Sequence, residues 1–145
     1  MAKLSGRFIV VSITDSGAVA RDVSSDVDSV EIPDEYGSVD VTGFSDGAEN
    51  SIAGMPRLPI TINGTFNPAA GTGLYTVLKG LLGSYTGRLV EIKIGQNATP
   101  AGGDPKFSGT FWLARMPVSA TPTGKVTISG EFEVSGSTAP SWGTV

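Results

Sequence analysis

Apolar and polar residues alternate in short runs along this chain, and the period changes once. Ile60, Ile62 and Phe66 fall in a two-residue rhythm, and Leu74, Tyr75, Val77, Leu78, Leu81 and Leu82 recur at helical spacing. Val90, Ile92 and Ile94 then alternate again. The pattern predicts strand, helix, strand, with the helix over 73–82. Thr72 is placed to cap its first amides and Gly83 to end it in the left-handed conformation. Pro68 closes the incoming strand because it has no amide to donate. Gly80 costs roughly 1 kcal/mol of helix propensity, whereas each apolar side chain gains roughly 1.5–3 kcal/mol on full burial. Leu74, Val77, Leu78, Leu81 and Leu82 are therefore expected to dock the helix on a sheet.

The rest of the chain reads as strands. A first strand over 7–13 turns at 14–17 and returns over 18–22. An acidic segment, 22–35, contains the alternating Val30 and Ile32, and Val39 and Val41 mark another short strand. Residues 107–115 alternate with Phe107, Phe111 and Leu113 on one face. Residues 125–134 alternate most cleanly, with Val126, Ile128, Phe132 and Val134 opposite Thr127, Ser129, Glu131 and Glu133. Residues 95–105 read as a flexible loop, and 135–145 as a polar tail holding a lone Trp142. The connection 43–59 is longer than loops usually are without a function. It carries Phe44, Ile52 and Met55, which need covering, so a long hairpin arm or a loop docked on a neighbouring subunit is expected. The fold class is mainly β: an antiparallel sandwich or split barrel in one domain, 1–145, with one short flanking α-helix and a protruding arm.

Composition narrows the function. The 145 residues are 39% hydrophobic, enough for one core, and the 20 Gly and 9 Pro suit a turn-rich β framework. A net charge of -4 disfavours a nucleic-acid binder. There is no Cys for disulfides or thiolate metal sites, and no His, the commonest general base. The N-terminal apolar run is too short for a secretion signal and no run approaches the ~20 residues of a membrane span. A soluble protein made in the cytoplasm, with no membrane partner, is expected.

Motif matches carry little chemistry. Gly43, Ser45 and Gly47 match a nucleophile elbow, but without His the serine has no base, and the bland reading is a turn. Asp22, Asp26, Asp28, Glu31, Asp34 and Glu35 lack calcium-loop spacing and read as a solvated surface. Gly71 and Gly73 are a fragment of a dinucleotide fingerprint, with Thr76 where the third glycine belongs. Tyr75 and Tyr85 read as core and sheet-edge residues. Asn63 and Asn97 begin Asn-x-Thr triplets by chance. Glu131 and Glu133, about 7 Å apart on one strand face, lack the aromatic platform a sugar needs. No catalytic residue, cofactor or metal is expected.

The segments DVSSDVDSVEIP, VDVTGFSDGAENSIAGMPRLPITINGTFNP, GLYTVLKGLLG and VTISGEFEVSG, in that order, resemble the tail tube (major tail) proteins of long-tailed bacteriophages over most of the chain. The resemblance implies a structural, non-enzymatic subunit of hexameric rings stacked into a hollow tube. Its partners would be other copies of itself, a tape measure protein and a tail terminator. DNA would pass through without specific contacts. The location would be a virion tail assembled in the bacterial host cytoplasm. Phe44, Ile52 and Met55 would anchor the arm on a neighbour, with Val39 and Val41 at the same interface. Thr127, Ser129, Glu131 and Glu133 would face the lumen, where six copies at -4 each, about -24 per ring, would repel passing DNA. A capsid decoration or head-tail connector protein and a ligand-binding β-sandwich are the other classes open to such a sequence.

Overall fold

A computed structural model describes Leu4 and residues 6–97 and 99–145. Residues 1–3 and 5, within the segment read for a secretion signal, and Ala98 of the second Asn-x-Thr triplet lie outside the described residues. After a 3-10 turn at Gly6–Phe8 come β1 (Ile9–Thr14), β2 (Ala20–Asp22), β3 (Val27–Glu31), β4 (Glu35–Asp40), β5 (Ser51–Arg57) and β6 (Ile60–Thr65). Helix α1 (Leu74–Leu81) precedes β7 (Arg88–Ile94), β8 (Pro105–Arg115), β9 (Val118–Ser119), β10 (Thr127–Val134) and β11 (Ser141–Thr144).

The fold is mainly β and antiparallel. One nine-stranded sheet runs β2-β1-β7-β8-β10-β6-β3, with β11 also on β8 and β9 also on β10. Its two outermost strands, β2 and β3, are joined by only the four residues 23–26. Such a link, five residue steps from Asp22 to Val27, reaches at most roughly 18 Å, so the ends of the sheet must curl toward each other. The hydrogen bonds agree: the Val23 amide donates to Val11 O on β1 (3.0 Å), and the Thr65 amide of β6 donates to Asp26 O (2.8 Å). The result is a split barrel.

The inward positions of the strands fill that barrel. Val11, Ile13, Ile60, Ile62, Val90, Ile92, Phe107, Phe111, Leu113, Ile128 and Phe132 are all buried. Helix α1 closes the interior with Leu74, Val77, Leu78 and Leu81, also buried. Gly64 on β6 permits this closure, since a Cβ there would collide with Asp26 O and the Leu74 side chain.

Several sequence expectations need correcting. Thr72 does not cap α1: the N-cap is Gly73, which has no side chain to donate or accept. The Asp26 carboxylate accepts from the Leu74 amide (3.2 Å) and from Asn67 Nδ2 (3.1 Å) instead. A charge from 48 residues away thus meets the positive end of the helix. Leu82 is 45% exposed, because the helix stops at Leu81 and Leu82 turns away as the extended C-cap before Gly83, whose φ is +78°. The supposed polar tail holds β11, in which Trp142 sits opposite Phe107 with ring centroids 5.2 Å apart. It extends the line of β10 along the same edge of β8 after a detour over 135–140. One aromatic in four residues gave no alternation to read.

Candidate assembly surface

The connection over 43–59 is a strand for much of its length. β5 pairs with β4 as a separate two-stranded hairpin, with Val39 opposite Ile52 and Tyr36 opposite Pro56 across a bulge near Gly37. Gly54, Pro56 and the bulge interrupt the period-two signal, which is why the stretch reads as a loop in sequence. The hairpin stands off the barrel, all of β4 is exposed, and nothing from 33–57 contributes to the core. An isolated two-stranded hairpin is marginal in water, and no described residue of the barrel packs its apolar side chains into the core.

Its faces differ. By register Val39 and Ile52 share one side and Tyr36 and Pro56 the other, since Tyr36 and Val39 stand three residues apart on β4 and the bulge shifts β5 between the two pairs; Met55, at the bulge, is 85% exposed. Phe44 lies at the tip and is fully exposed; Ile52 is 56% exposed. Val41 follows β4, and its amide donates to Asn50 O (2.9 Å). The tip is ordered by a clasp of polar groups. The Thr42 amide (2.9 Å) and hydroxyl (2.7 Å) donate to Asp40 Oδ1, the Asn50 amide donates to Thr42 Oγ1 (2.8 Å), and the Gly43 amide donates to Asp46 Oδ2 (2.8 Å). The Thr42 hydroxyl, and after it the Thr42 amide, hold the Asp40 carboxyl below its usual range. Gly43, Ser45 and Gly47 are thus part of a turn that presents Phe44.

The proposed lumen residues lie on the outer face of β10, between strands β8 and β6. Ser129 donates to Asn63 Oδ1, and Asn63 Nδ2 donates to Ser29 Oγ (3.1 Å), giving a polar row across three strands. Glu131 pairs with Arg115 (3.0 Å), and Thr127 Oγ1 donates to Ser119 O (3.4 Å). Glu133 is exposed opposite Trp112. Sequence reasoning missed Arg115 and Asn63 because sharing a face across strands depends on register. Lys125 with Asp28 (2.7 Å) adds a further compensated charge nearby.

The remaining candidates are structural. Among the described residues no group of three or more His, Cys, Asp or Glu could hold a metal ion. Tyr75 stacks on Phe66 with centroids 4.3 Å apart. Tyr85 departs from its expected place at a packed sheet edge. It is fully exposed and, with Trp112 and Val134, walls a cleft of about 450 Å³ that no motif announced.

No protein-family model matches the sequence, and no curated protein matches it. Solved structures do match in fold. A chain from the tail of an empty gene transfer agent particle, refined with C6 symmetry, shares 16% identity at a TM-score of 0.67, over 97% of this chain and 99% of that one. A chain from the sheath-tube complex of an extracellular contractile injection system, PVC, shares 12% identity at a TM-score of 0.71, over 99% and 93%. A chain from the tube-terminating cap of the anti-feeding prophage shares 10% identity at a TM-score of 0.72, over 100% and 93%.

Proposed function

We propose that this chain is a structural, non-enzymatic tail tube subunit that assembles as stacked hexameric rings. The observation that carries the reading is the end-to-end match to chains from tails and tubes, which covers 97% or more of this chain. The uncovered fraction is a few residues, so the 23-residue arm falls within the matched stretch along with the barrel. A barrel alone would fit many functions. A barrel with an uncovered apolar arm fits a protein whose folding is completed by its neighbours.

The rings would meet tail partners at their ends, a terminator and a tape measure protein among them, in a virion tail assembled in the host cytoplasm. The bore would carry DNA without specific contacts. The outer face of β10 suits such a wall: short hydroxyls, amides and carboxylates, with Arg115 and Lys125 neutralised by Glu131 and Asp28. A surface of this kind offers phosphate no cluster of free cations to bind.

Negative-stain electron microscopy of the concentrated protein tests the proposal. Long hollow tubes are expected. Monomers or trimers that bind only capsids would establish a decoration protein instead, and a monomer with saturable small-molecule binding would establish a ligand-binding sandwich.

A further inference from the structure

On its own strand Glu133 has no aromatic neighbour on its face. The register of the sheet supplies one: Trp112 of β8 lies directly opposite, 41% exposed. Tyr85, fully exposed after the helix, forms with Trp112 and Val134 the walls of the cleft of about 450 Å³. Glu133 itself lines the smaller cleft that shares Val134. Two exposed rings and a carboxylate thus meet near one end of β10 from separate parts of the chain. The cleft is preformed. The Ser84 amide donates to Leu81 O (3.1 Å) and the Ser135 amide to Thr110 O (2.9 Å). Gly87 lets the two loops close on each other, since a Cβ there would collide with the Ser135 side chain. Gly83 and Gly136, at φ +78° and +87°, line the cleft with bare backbone, open to close approach by a ligand.

The chemistry of the cleft selects its ligand. Its volume is that of a small-molecule site. Among the described residues no charged side chain lines it, so a phosphate, a nucleotide or an amino acid would enter with its charge unpaired, at heavy cost. A wholly apolar ligand would strip water from the hydroxyls of Ser84, Tyr85 and Ser135 and return no hydrogen bond. The Ser84 hydroxyl accepts from the Thr86 amide (3.3 Å) and keeps its proton to donate. An acyclic polyol would satisfy the hydroxyls but offer the rings no flat face. A pyranose does both: its C–H face covers an aromatic ring, while its rim of hydroxyls meets the serines, the peptide groups and, at the edge, the Glu133 carboxylate, a strong acceptor. Equatorial hydroxyls leave such a face on both sides of the ring, as in β-linked glucose.

We infer that the Tyr85–Trp112 cleft binds a neutral saccharide of the β-linked glucose type. Glu131, the other carboxylate of that face, is held by Arg115 (3.0 Å). It is engaged where glycoside hydrolysis would need it free, so the saccharide is bound without being cleaved. Trp142→Phe leaves Trp112 as the only tryptophan. Titrating this variant with cellobiose is expected to shift the Trp112 emission saturably, with a midpoint on the order of 1 mM, while sorbitol at equal concentration leaves it unchanged. Tyr85 stands outside the core, so Tyr85→Ala in the same background should keep the melting temperature and raise the midpoint roughly tenfold. A response that rises without saturating, an equal response to sorbitol, or an unchanged midpoint in Tyr85→Ala overturns the inference. Should the tryptophan variant fail to fold, the unaltered chain, followed by NMR through its tyrosine ring signals, decides by the same criteria. Assembly is scored separately. Saccharide binding by a chain that forms no tubes would keep this inference and sink the tube reading, whereas tubes from a chain that binds no saccharide would do the reverse.

Discussion

Replacing Phe44, Ile52 and Met55 together by Ser separates folding from assembly. All three are exposed in the single chain and none touches the core. Surface changes of this kind cost within about ±0.5 kcal/mol each, so the melting temperature and the β circular dichroism spectrum should scarcely move. At an interface the arithmetic differs. Losing a buried aromatic anchor costs on the order of 2 kcal/mol, and losing two smaller apolar anchors adds roughly 1 kcal/mol each, about 4 kcal/mol per subunit. At 1.4 kcal/mol per decade, the protein concentration needed for tubes should rise roughly a thousandfold. Sedimentation and negative-stain imaging over a concentration series measure that threshold directly. Unfolding of the variant would put these residues in the intramolecular core, and an unchanged threshold would remove the arm from assembly. Because Tyr36 and Ile52 lie on opposite faces of the arm, Tyr36→Ser and Ile52→Ser made singly should report which face is covered.

Leu78→Asp puts an unpaired charge at a fully buried site beneath the sheet and should cost more than about 4 kcal/mol, abolishing soluble protein; a normally melting variant would refute the docking of α1. The Asp40 clasp should respond to pH: its carboxyl titrates below the ordinary value of about 3.9, so its contribution is complete above that value and fades as pH falls through the lower folded one. The protection of the Thr42 amide, its exchange rate relative to that of an unstructured chain at the same pH, should therefore fall at the acid end and stay level between pH 5 and 8, and Asp40→Asn should remove the dependence. Glu131→Lys with Glu133→Lys takes each subunit from -4 to 0, and the first of the two sets an ammonium against Arg115 in place of its carboxylate partner. Virions carrying both changes should assemble but eject DNA more slowly, with the defect easing as salt rises. Wild-type ejection would place that face outside the bore.

The strands and the helix were legible because their signal is local. β10 announces itself by Ile128 and Phe132 alternating with Ser129 and Glu131, and α1 by Leu74, Val77, Leu78 and Leu81 on one stripe. What was not legible depends on partners distant in sequence. The cap on α1 comes from Asp26, which no motif near Gly73 reveals. β5 hides its period behind Gly54 and Pro56, which an edge strand tolerates and a central one does not. The cleft joins Tyr85 after the helix to Trp112 on β8 and Val134 on β10, residues that only the register of the sheet assembles. The uncovered apolar residues of the arm were readable in the sequence, but the cleft was not, because a concave surface has no pattern along a chain.

The arm leaves the barrel between Pro33 and Pro59, and no residue from 33 to 57 enters the core. Two kinds of inheritance therefore share one gene. Drift in the barrel is screened inside each molecule, at folding, since a lost methyl group at Ile62 or Leu113 is felt by the chain that carries it. Drift at Val39, Phe44 or Ile52 passes that screen unseen and, in a tube, would be tested only among molecules, when copies meet. In a host carrying two related particles, such changes could divide one population of subunits into two that fold alike yet no longer mix. The hairpin would then act as a mark of kinship between subunits, free to diverge while the barrel beneath it stays the same.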